Sequence, residues 1–454
     1  MCIRGSYFDS LLLLGIVLVI VLTLSLEAKA SEQGTTLTLD QAMAAALKYS
    51  QGLRLTKDQV FLQEIALQQK KDNFLPEVNA DGSVAFSHDQ GATGSARDYQ
   101  SLSAEVSASV NLFNGFGDRA ALEQASQTLA AQQETLTRQQ QTLVFDTVSA
   151  YLDAVKNLEQ IQVAQQTLED NQRQLADIEA YYRVGRRPVT DVYKQKAETA
   201  QARSELLAAQ RDYQVSKLTL MQTLGIVTTT QFEVVIPKHA ALSDTPATDI
   251  TVLIRQAMEK RPDVLAKERE QRAAEAQQRV AQSSAYPTLD LVLGVGTGYD
   301  SRGDSAFGSQ MDEDNLYGNA GLNLSIPLFD RHLTRNAVSQ ARINRHSVDL
   351  ELEQLQRQVE VEIGQSVQEY LTASDQVEVA SAQLTYAQEA LNSTEQRYRV
   401  GAATLTELTD ARSTFVEARY ALVEAHIDRM LRTVAIAYYQ GNLDGSMFVG
   451  EGEV

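Results

Sequence analysis

The chain has 454 residues, with no Trp, 7 Pro, 24 Gly and a single Cys at position 2. One cysteine excludes a disulfide framework and a thiolate metal cluster; 59 Asp and Glu against 40 Lys and Arg leave a net charge of −19, which opposes binding to a phosphate backbone and excludes nucleic acid as a natural partner. Length alone would suggest about three compact domains at ~150 residues each, but the long tracts of Ala, Gln, Leu and Glu argue instead for extended helix.

Arg4 precedes an apolar run from Leu11 to Leu26, closed by the small-x-small triplet Ala28-Lys29-Ala30. Residues 1–30 read as a secretory signal peptide cleaved before Ser31. A run of about sixteen apolar residues is short of the ~20 a membrane-spanning helix needs, and no later segment is long enough. Arg4 and Lys29 cancel Asp9 and Glu27, so the exported chain keeps the full acidity. Cys2 leaves with the leader.

The remainder, residues 31–454, is organised by an internal repeat. Tyr182-Arg183-Val184-Gly185 recurs as Tyr398-Arg399-Val400-Gly401, which sets the offset between the copies at 401 − 185 = 216. Without a gap, Thr190, Ala202, Arg203, Leu206, Ala209, Asp212 and Gly225 fall on Thr406, Ala418, Arg419, Leu422, Ala425, Asp428 and Gly441. Upstream, Leu75-Pro76 and Tyr286-Pro287 correspond at a slightly smaller offset. Two copies of one unit follow, residues 37–225 and 250–441, each reading helix, two strands, long helix, tight turn, helix.

Long helices are expected over about 115–183, 188–224, 331–399 and 405–440. From Asp118 to Val184 there is neither Gly nor Pro, and from Arg331 to Val400 only Gly364 intervenes. At ~1.5 Å per residue the longer helices would each reach roughly 100 Å. Tyr370, Ala373, Val377, Ala380, Leu384, Ala387, Leu391, Thr394 and Tyr398 alternate three and four apart, a heptad seam. Ile161, Ala164, Leu168, Leu175, Ile178 and Tyr182 hold the same register in the first copy, where Asn157 and Asn171 imply a partly wet seam. Helices alone do not distinguish a pore from a solid coiled-coil rod.

Four strands are expected at about 76–88, 99–113, 287–299 and 316–329. Val78, Ala80, Gly82, Val84 and Phe86 alternate with Glu77, Asn79, Asp81, Ser83 and Ser87, and the runs beginning at Leu102, Leu289 and Leu316 repeat the pattern. A half-buried soluble sheet shows the same alternation. These runs, however, span about a dozen residues against the usual ~5 to 6 of soluble strands, and match the ~9 to 11 of a tilted membrane strand. Tyr99, Tyr299 and Tyr317 at one end, with Phe113, Phe116 and Phe329 at the other, resemble two interfacial aromatic girdles. Four strands do not close a membrane barrel, for which ~8 is the minimum; a dimer would supply 8 and a trimer 12. Eight leave an interior filled by side chains, and the acids Asp81, Glu105 and Asp290 on the polar faces favour the wet lumen of a trimer.

Several motifs carry a resemblance: the opening Leu37-Thr38-Leu39-Asp40-Gln41-Ala42, the Leu-Pro and Tyr-Pro strand starts, Val110-Asn111-Leu112-Phe113 and Ile326-Pro327-Leu328-Phe329, and the doubled Tyr-Arg-Val-Gly turn. In their order and doubled spacing they resemble the TolC family of outer-membrane efflux proteins, from Leu37 to Gly441. The resemblance implies a mainly α protein with membrane β structure: a homotrimer whose four strands per protomer complete a 12-stranded barrel in outer-membrane lipid, continued by a coiled-coil helical tunnel through the periplasm. Residues 226–260, with the apolar run Phe232 to Ile236, would form the equatorial segment. The implied role is the exit duct of a tripartite efflux or type I secretion system, fed by an inner-membrane pump through a periplasmic adaptor (membrane fusion protein). The competing reading is a secreted coiled-coil scaffold or adhesin.

The resemblance also assigns residues. The tips Val184-Gly185-Arg186-Arg187 and Val400-Gly401-Ala402-Ala403 would contact the adaptor, while Asp191, Glu407 and Asp410 with Tyr398 would form the periplasmic gate. Glu407 has a simpler explanation too, since Thr404 and Glu407 have capping-box spacing. Ala403 stands where family members carry an arginine that bridges neighbouring helices, and Arg186 and Arg187 are the basic residues at the other tip.

Gly294-Val295-Gly296-Thr297-Gly298 superficially matches a dinucleotide loop, but it lies within a strand and no helix follows. Asp312-Glu313-Asp314 reads as a solvated loop. His88, His239, His332, His346 and His426 have no paired metal spacing. No catalytic residue, metal or cofactor is expected, and the cargo is not written in the chain.

Overall fold

The computed structural model describes residues 35–90, 96–226, 232–236, 249–303, 306–311 and 316–443. The leader 1–30 with Cys2, His239 and Asp312-Glu313-Asp314 lie outside the described residues. In chain order the elements are β1 (Thr35–Leu37), α1 (Leu39–Tyr49), α2 (Gln51–Asp72), β2 (Glu77–Gln90), β3 (Ala96–Asn114), α3 (Gly117–Arg183), α4 (Val189–Leu224), β4 (Phe232–Val234), α5 (Ile250–Lys260), α6 (Pro262–Ser283), β5 (Thr288–Asp300), α7 (Phe307–Gln310), β6 (Tyr317–Ser325), α8 (Leu333–Arg399) and α9 (Leu405–Tyr439). The two halves thus repeat one order. Each opens with a broken helix pair rather than the single helix expected, α1 and α2 parting at Ser50 and α5 and α6 at Arg261.

Both long helices begin slightly later than expected, for a backbone reason. Gly115 and Phe116 carry φ of 67° and 65°, and their counterparts one repeat later, Arg331 and His332, carry 54° and 64°. A pair of left-handed residues turns each strand into its helix, although three of the four have a Cβ that resists this conformation. Gly115 is sterically required: a Cβ there would lie 2.6 Å from Tyr286 Cβ. The last strand also ends early, at Ser325 instead of 329. Just beyond it, Pro327 has no N–H to donate to a ladder.

The described residues form two compact units, one from 35–46, 147–226 and 232–236, the other from 47–90, 96–146, 249–303, 306–311 and 316–443. In the first, β1 pairs with β4 in parallel, Leu37 opposite Val234. Of this pair only β4 falls in the segment 226–260, and the short β1 had no sequence signal of its own. Buried Tyr151 fastens the two strands, its hydroxyl lying 3.0 Å from the Leu37 carbonyl and 2.6 Å from that of Val235. Burial pushes this phenol up to about 12, so it remains a donor at physiological pH.

The same unit corrects the wet seam at Asn171, while Asn157 is partly exposed and donates to Asp153 at 3.4 Å. Asn171 is buried, and Gln195 Nε2 donates to its Oδ1 at 2.9 Å while Asn171 Nδ2 donates to the Thr167 carbonyl at 2.9 Å. The amides satisfy each other across the α3–α4 hairpin and need no water. Tyr182 departs from the seam as well: it is 45% exposed, whereas Tyr398, its counterpart one repeat later, is 4% exposed.

In the second unit, Leu253, Ala257, Val264, Val359, Ile363, Val367, Tyr370 and Ile436 form one apolar cluster from α5, α6, α8 and α9. Beside it lies a buried polar knot. Arg261, 2% exposed, donates Nε and Nη2 to both oxygens of Asp263 at 3.0 and 2.7 Å, and Nη1 to Glu362 at 2.6 Å. Arg138 from α3 stacks on the Tyr438 ring at 4.0 Å, donates to the Tyr438 carbonyl at 3.0 Å and approaches Asp263 at 3.7 Å. Gln141 donates to the Gly441 carbonyl at 2.8 Å. Gly441, at φ 76°, lies so close to Arg261 that a Cβ would stand 2.8 Å from the Arg261 Cα. Two cations and two anions close the charge balance, which a buried ionic group requires.

Burial would raise the Asp263 carboxyl, but the hydrogen bonds and charge of Arg261, then the charge of Arg138, outweigh it and hold Asp263 below its ordinary value. Its contribution to stability is therefore whole above the ordinary aspartate range and is lost as pH falls through the lower folded value. Asp263→Asn should cost about 2 kcal/mol at neutral pH, discounted for the partial exposure of the carboxylate. In denaturant titrations of the purified protein that difference should stay level from about pH 8 to pH 5 and shrink below about pH 4.

Candidate functional site

The four long strands form one sheet in the order β2-β3-β5-β6, antiparallel throughout. Register brings like faces together. Ala80 faces Val106 and Val106 faces Val295, while Leu291 faces Leu322. On the opposite side Asp81 faces Glu105, Glu105 faces Gly296 and Gly296 faces Tyr317. The apolar side is exposed in the single chain, with Val78, Val84, Phe86, Val106, Val295 and Leu322 all open. An exposed apolar sheet face that broad marks contact with something other than water. Among the described residues, the outer edges of β2 and β6 have no strand partner.

Period-two parity corrects the aromatic girdle. Tyr299 pairs with Leu102 and so lies on the apolar face, but Tyr99 pairs with Ser87 and Tyr317 with Gly296, both on the polar face. Phe113 reaches the apolar side only because a bulge between Asn111 and Phe113 shifts the register, setting it opposite Leu289. It then packs edge-on against Phe116 at 5.3 Å.

The glycine run of β5 has a packing role. A Cβ on Gly294 would collide with Asn319 Oδ1 and stand 2.6 Å from Glu105 Oε1, and one on Gly296 would stand 2.6 Å from the Tyr317 hydroxyl. Side chains of the adjoining strands lie across the glycines. The polar face carries Glu77, Asp81, Glu105, Asp290 and Asp300; at its end Arg302, just beyond β5, pairs with Asp300 at 2.6 Å and lies over the Tyr99 ring at 4.1 Å. Like charges directly opposite, as in Asp81 and Glu105, disfavour a sheet unless water screens them.

The two tight turns share one backbone. In the first unit the Gly185 N–H donates to the Tyr182 carbonyl and Arg186 N–H to Tyr181, both at 2.9 Å. In the second, Gly401 donates to Tyr398 at 3.0 Å and Ala402 to Arg397 at 2.8 Å. The φ of 72° at Gly185 and 79° at Gly401 completes the same left-handed helix stop. An ion pair repeats with them: Lys196 meets Glu179 at 3.1 Å, and at the equivalent positions of the second copy Arg412 meets Glu395 at 3.1 Å.

The following helix starts differ. Asp191 lies in the first turn of α4 behind Pro188, which offers no side-chain cap. Its counterpart Glu407 belongs to a full capping box: the Thr404 N–H donates to Glu407 at 2.7 Å and the Glu407 N–H to the Thr404 hydroxyl at 3.2 Å. The backbone N–H of Thr404, its hydroxyl and then Arg397, 3.8 Å away, hold the Glu407 carboxyl below its ordinary range. Asp410 is exposed one turn on, Tyr398 is buried before the turn, and Ala403 is buried within it. Tyr398, Glu407 and Asp410 thus belong to one unit and Asp191 to the other. Residues that sequence reasoning missed are Arg261, Arg138 and the Asn171–Gln195 pair. An arginine set immediately before Pro262 was the available signal for the first.

The model of the outer membrane efflux protein family matches residues 28–226 and 253–442, so the chain belongs to that family. Membership sets its location in the outer membrane, and the solved structure below gives it a TolC-like fold. TolC of Escherichia coli K12 is 25% identical over 312 residues, covering 66% of this chain and 62% of TolC, so the match spans under two thirds of that relative. BepC, an outer membrane efflux protein of Brucella suis, is 24% identical over 407 residues, covering 89% of the chain and 86% of BepC. The solved structure of VceC from Vibrio cholerae shares the fold at a TM-score of 0.76 and 20% identity, covering 89% of this chain and 96% of that one.

Both turn glycines lie in open space, so the cost of replacing them is conformational alone. Gly185→Ala and Gly401→Ala should each cost about 1 kcal/mol. Equal shifts of the unfolding midpoint would confirm equal backbone roles, and a larger loss at either would reveal packing that a Cβ disturbs.

Proposed function

We propose that the protein is the outer-membrane exit duct of a tripartite efflux or type I secretion assembly, passively conducting cargo delivered by an inner-membrane pump through a periplasmic adaptor. The observation that carries this reading is the four-stranded sheet, apolar on one face, acidic on the other and unpaired at both edges. Unpaired backbone groups cost several kcal/mol each in hydrocarbon, so such a sheet enters a bilayer only when copies of itself cover its edges. Three protomers supply twelve strands, enough for a water-filled bore, whereas two would supply a filled one. A secreted coiled-coil scaffold would account for the heptad seam but leaves the sheet without a role. The duct performs no chemistry of its own.

In this reading Val184, Gly185, Arg186 and Arg187 with Val400, Gly401, Ala402 and Ala403 meet the adaptor. Asp191, Glu407 and Asp410 line a constriction beside Tyr398, where threefold symmetry triples each carboxylate. The depressed Glu407 carboxyl keeps its charge into acid, which favours cation selectivity across the physiological range. Ala403, a buried methyl inside the turn, stands where other family members carry the bridging arginine, and Arg186 and Arg187 are the candidates to take its place. Single-channel recording of the Asp191→Ala, Glu407→Ala, Asp410→Ala triple variant tests the constriction. Cation preference and block by trivalent hexamminecobalt should fall by roughly tenfold or more. Unchanged selectivity and block would remove these residues from the gate.

A further inference from the structure

The two turns share a backbone but differ in charge. Residues 181–196 carry five basic side chains, Arg183, Arg186, Arg187, Lys194 and Lys196, against one acid, Asp191, a net of +4 in a chain of net −19. The equivalent residues 397–412 carry Arg397, Arg399 and Arg412 against Glu407 and Asp410, a net of +1. Lys196 and Arg412 are each matched by a glutamate of the preceding helix, so that pair cancels alike in both copies and the contrast stands. Both turns spend some charge internally: Arg397 approaches Glu407 at 3.8 Å and donates to the Ala402 carbonyl at 3.2 Å, and Arg183 donates to the Glu179 carbonyl at 3.4 Å. At its tip only Val400 is prominently apolar, 80% exposed.

The first turn combines its positive charge with exposed apolar surface. Val184 is 68% exposed, and Tyr181, Tyr182, Val189 and Tyr193 are open around it. Tyrosine and arginine on an exposed apolar patch are the composition of an interface that binds through a few anchors. A cationic patch on an otherwise acidic protein selects an anionic partner and rejects a basic one.

Resting on the exit-duct reading, we propose that the first turn with the start of the helix that follows it, residues 181–196, is a charge-reading docking surface that takes the tip of an adaptor helical hairpin bearing carboxylates. The second turn is a separate seat of little net charge, gripping through Val400. The two repeats thus provide two distinct seats, and an adaptor tip without acids occupies only the second.

The test is photo-crosslinking in cells that express the full chain. Val184→p-benzoyl-Phe and Val400→p-benzoyl-Phe are made separately, each with and without Arg186→Glu and Arg187→Glu, and the captured adaptor is identified by mass spectrometry. The charge reversal should lower the Val184 product by roughly tenfold or more while the Val400 product changes little. Exchanging carboxylates at the captured adaptor's hairpin tip for lysines should restore the Val184 product to the reversed channel. Unaltered yield at Val184, or failure of the adaptor exchange to restore it, would overturn the proposal and leave the exit-duct reading standing. Capture of no hairpin-bearing adaptor at either position would overturn that reading instead. Trimer mobility on gels reports assembly; should the double reversal not assemble, Arg186→Glu alone carries the same comparison.

Discussion

A sheet edge has nowhere to hide in hydrocarbon, and the architecture of this chain follows from that constraint. Each protomer contributes four strands whose outer N–H and C=O groups have no partner among its own described residues. In water such edges are a hazard of aggregation; in lipid they forbid insertion of a lone copy. Assembly is therefore a condition of the membrane-embedded state, and the side chains conform to it. The apolar face is continuous from Val78 to Leu322, and the polar face tolerates Asp81 directly opposite Glu105 because water can reach both.

The internal repeat shows what selection holds fixed and what it releases. Backbone devices persist from one copy to the next: the left-handed pair that opens each long helix, the glycine stop that closes it, and the ion pair behind the turn. Beyond that ion pair, the side-chain chemistry of the turns and hairpins does not persist. Asn171 bonds to Gln195 in the first hairpin where the second places Ala387 and Ala411, and Pro188 stands where Thr404 builds a capping box. Geometry that fixes chain direction is shared, while polarity differs between the two halves.

The same distinction explains what could be read from sequence. Long helices, four amphipathic strands and two glycine turns are legible because each rests on local periodicity or on a residue with a unique conformation. Errors arise where a contact is made across the chain. Tyr99 and Tyr317 look like girdle residues by position, yet pairing parity sends them to the polar side, and Phe113 escapes the same fate only through a bulge that alternation does not announce. Asn171 looks solvated until its partner on the next helix is known. The knot at Arg261 draws on groups as far apart as Arg138 and Gly441, and no window of sequence contains it. Asp191, Glu407 and Asp410 are legible as acids just past two glycine turns, but no window of sequence carries the grouping into a gate proposed for them.

The glycines of β5 have a consequence for calibre. At Gly294 and Gly296 the neighbouring Asn319, Glu105 and Tyr317 lie down along the wall, occupying room a Cβ would have claimed. In a closed cylinder of such sheets, three smooth furrows would run where side chains otherwise project toward the axis. In the proposed bore, bulk would thereby be traded for clearance without the addition of a strand.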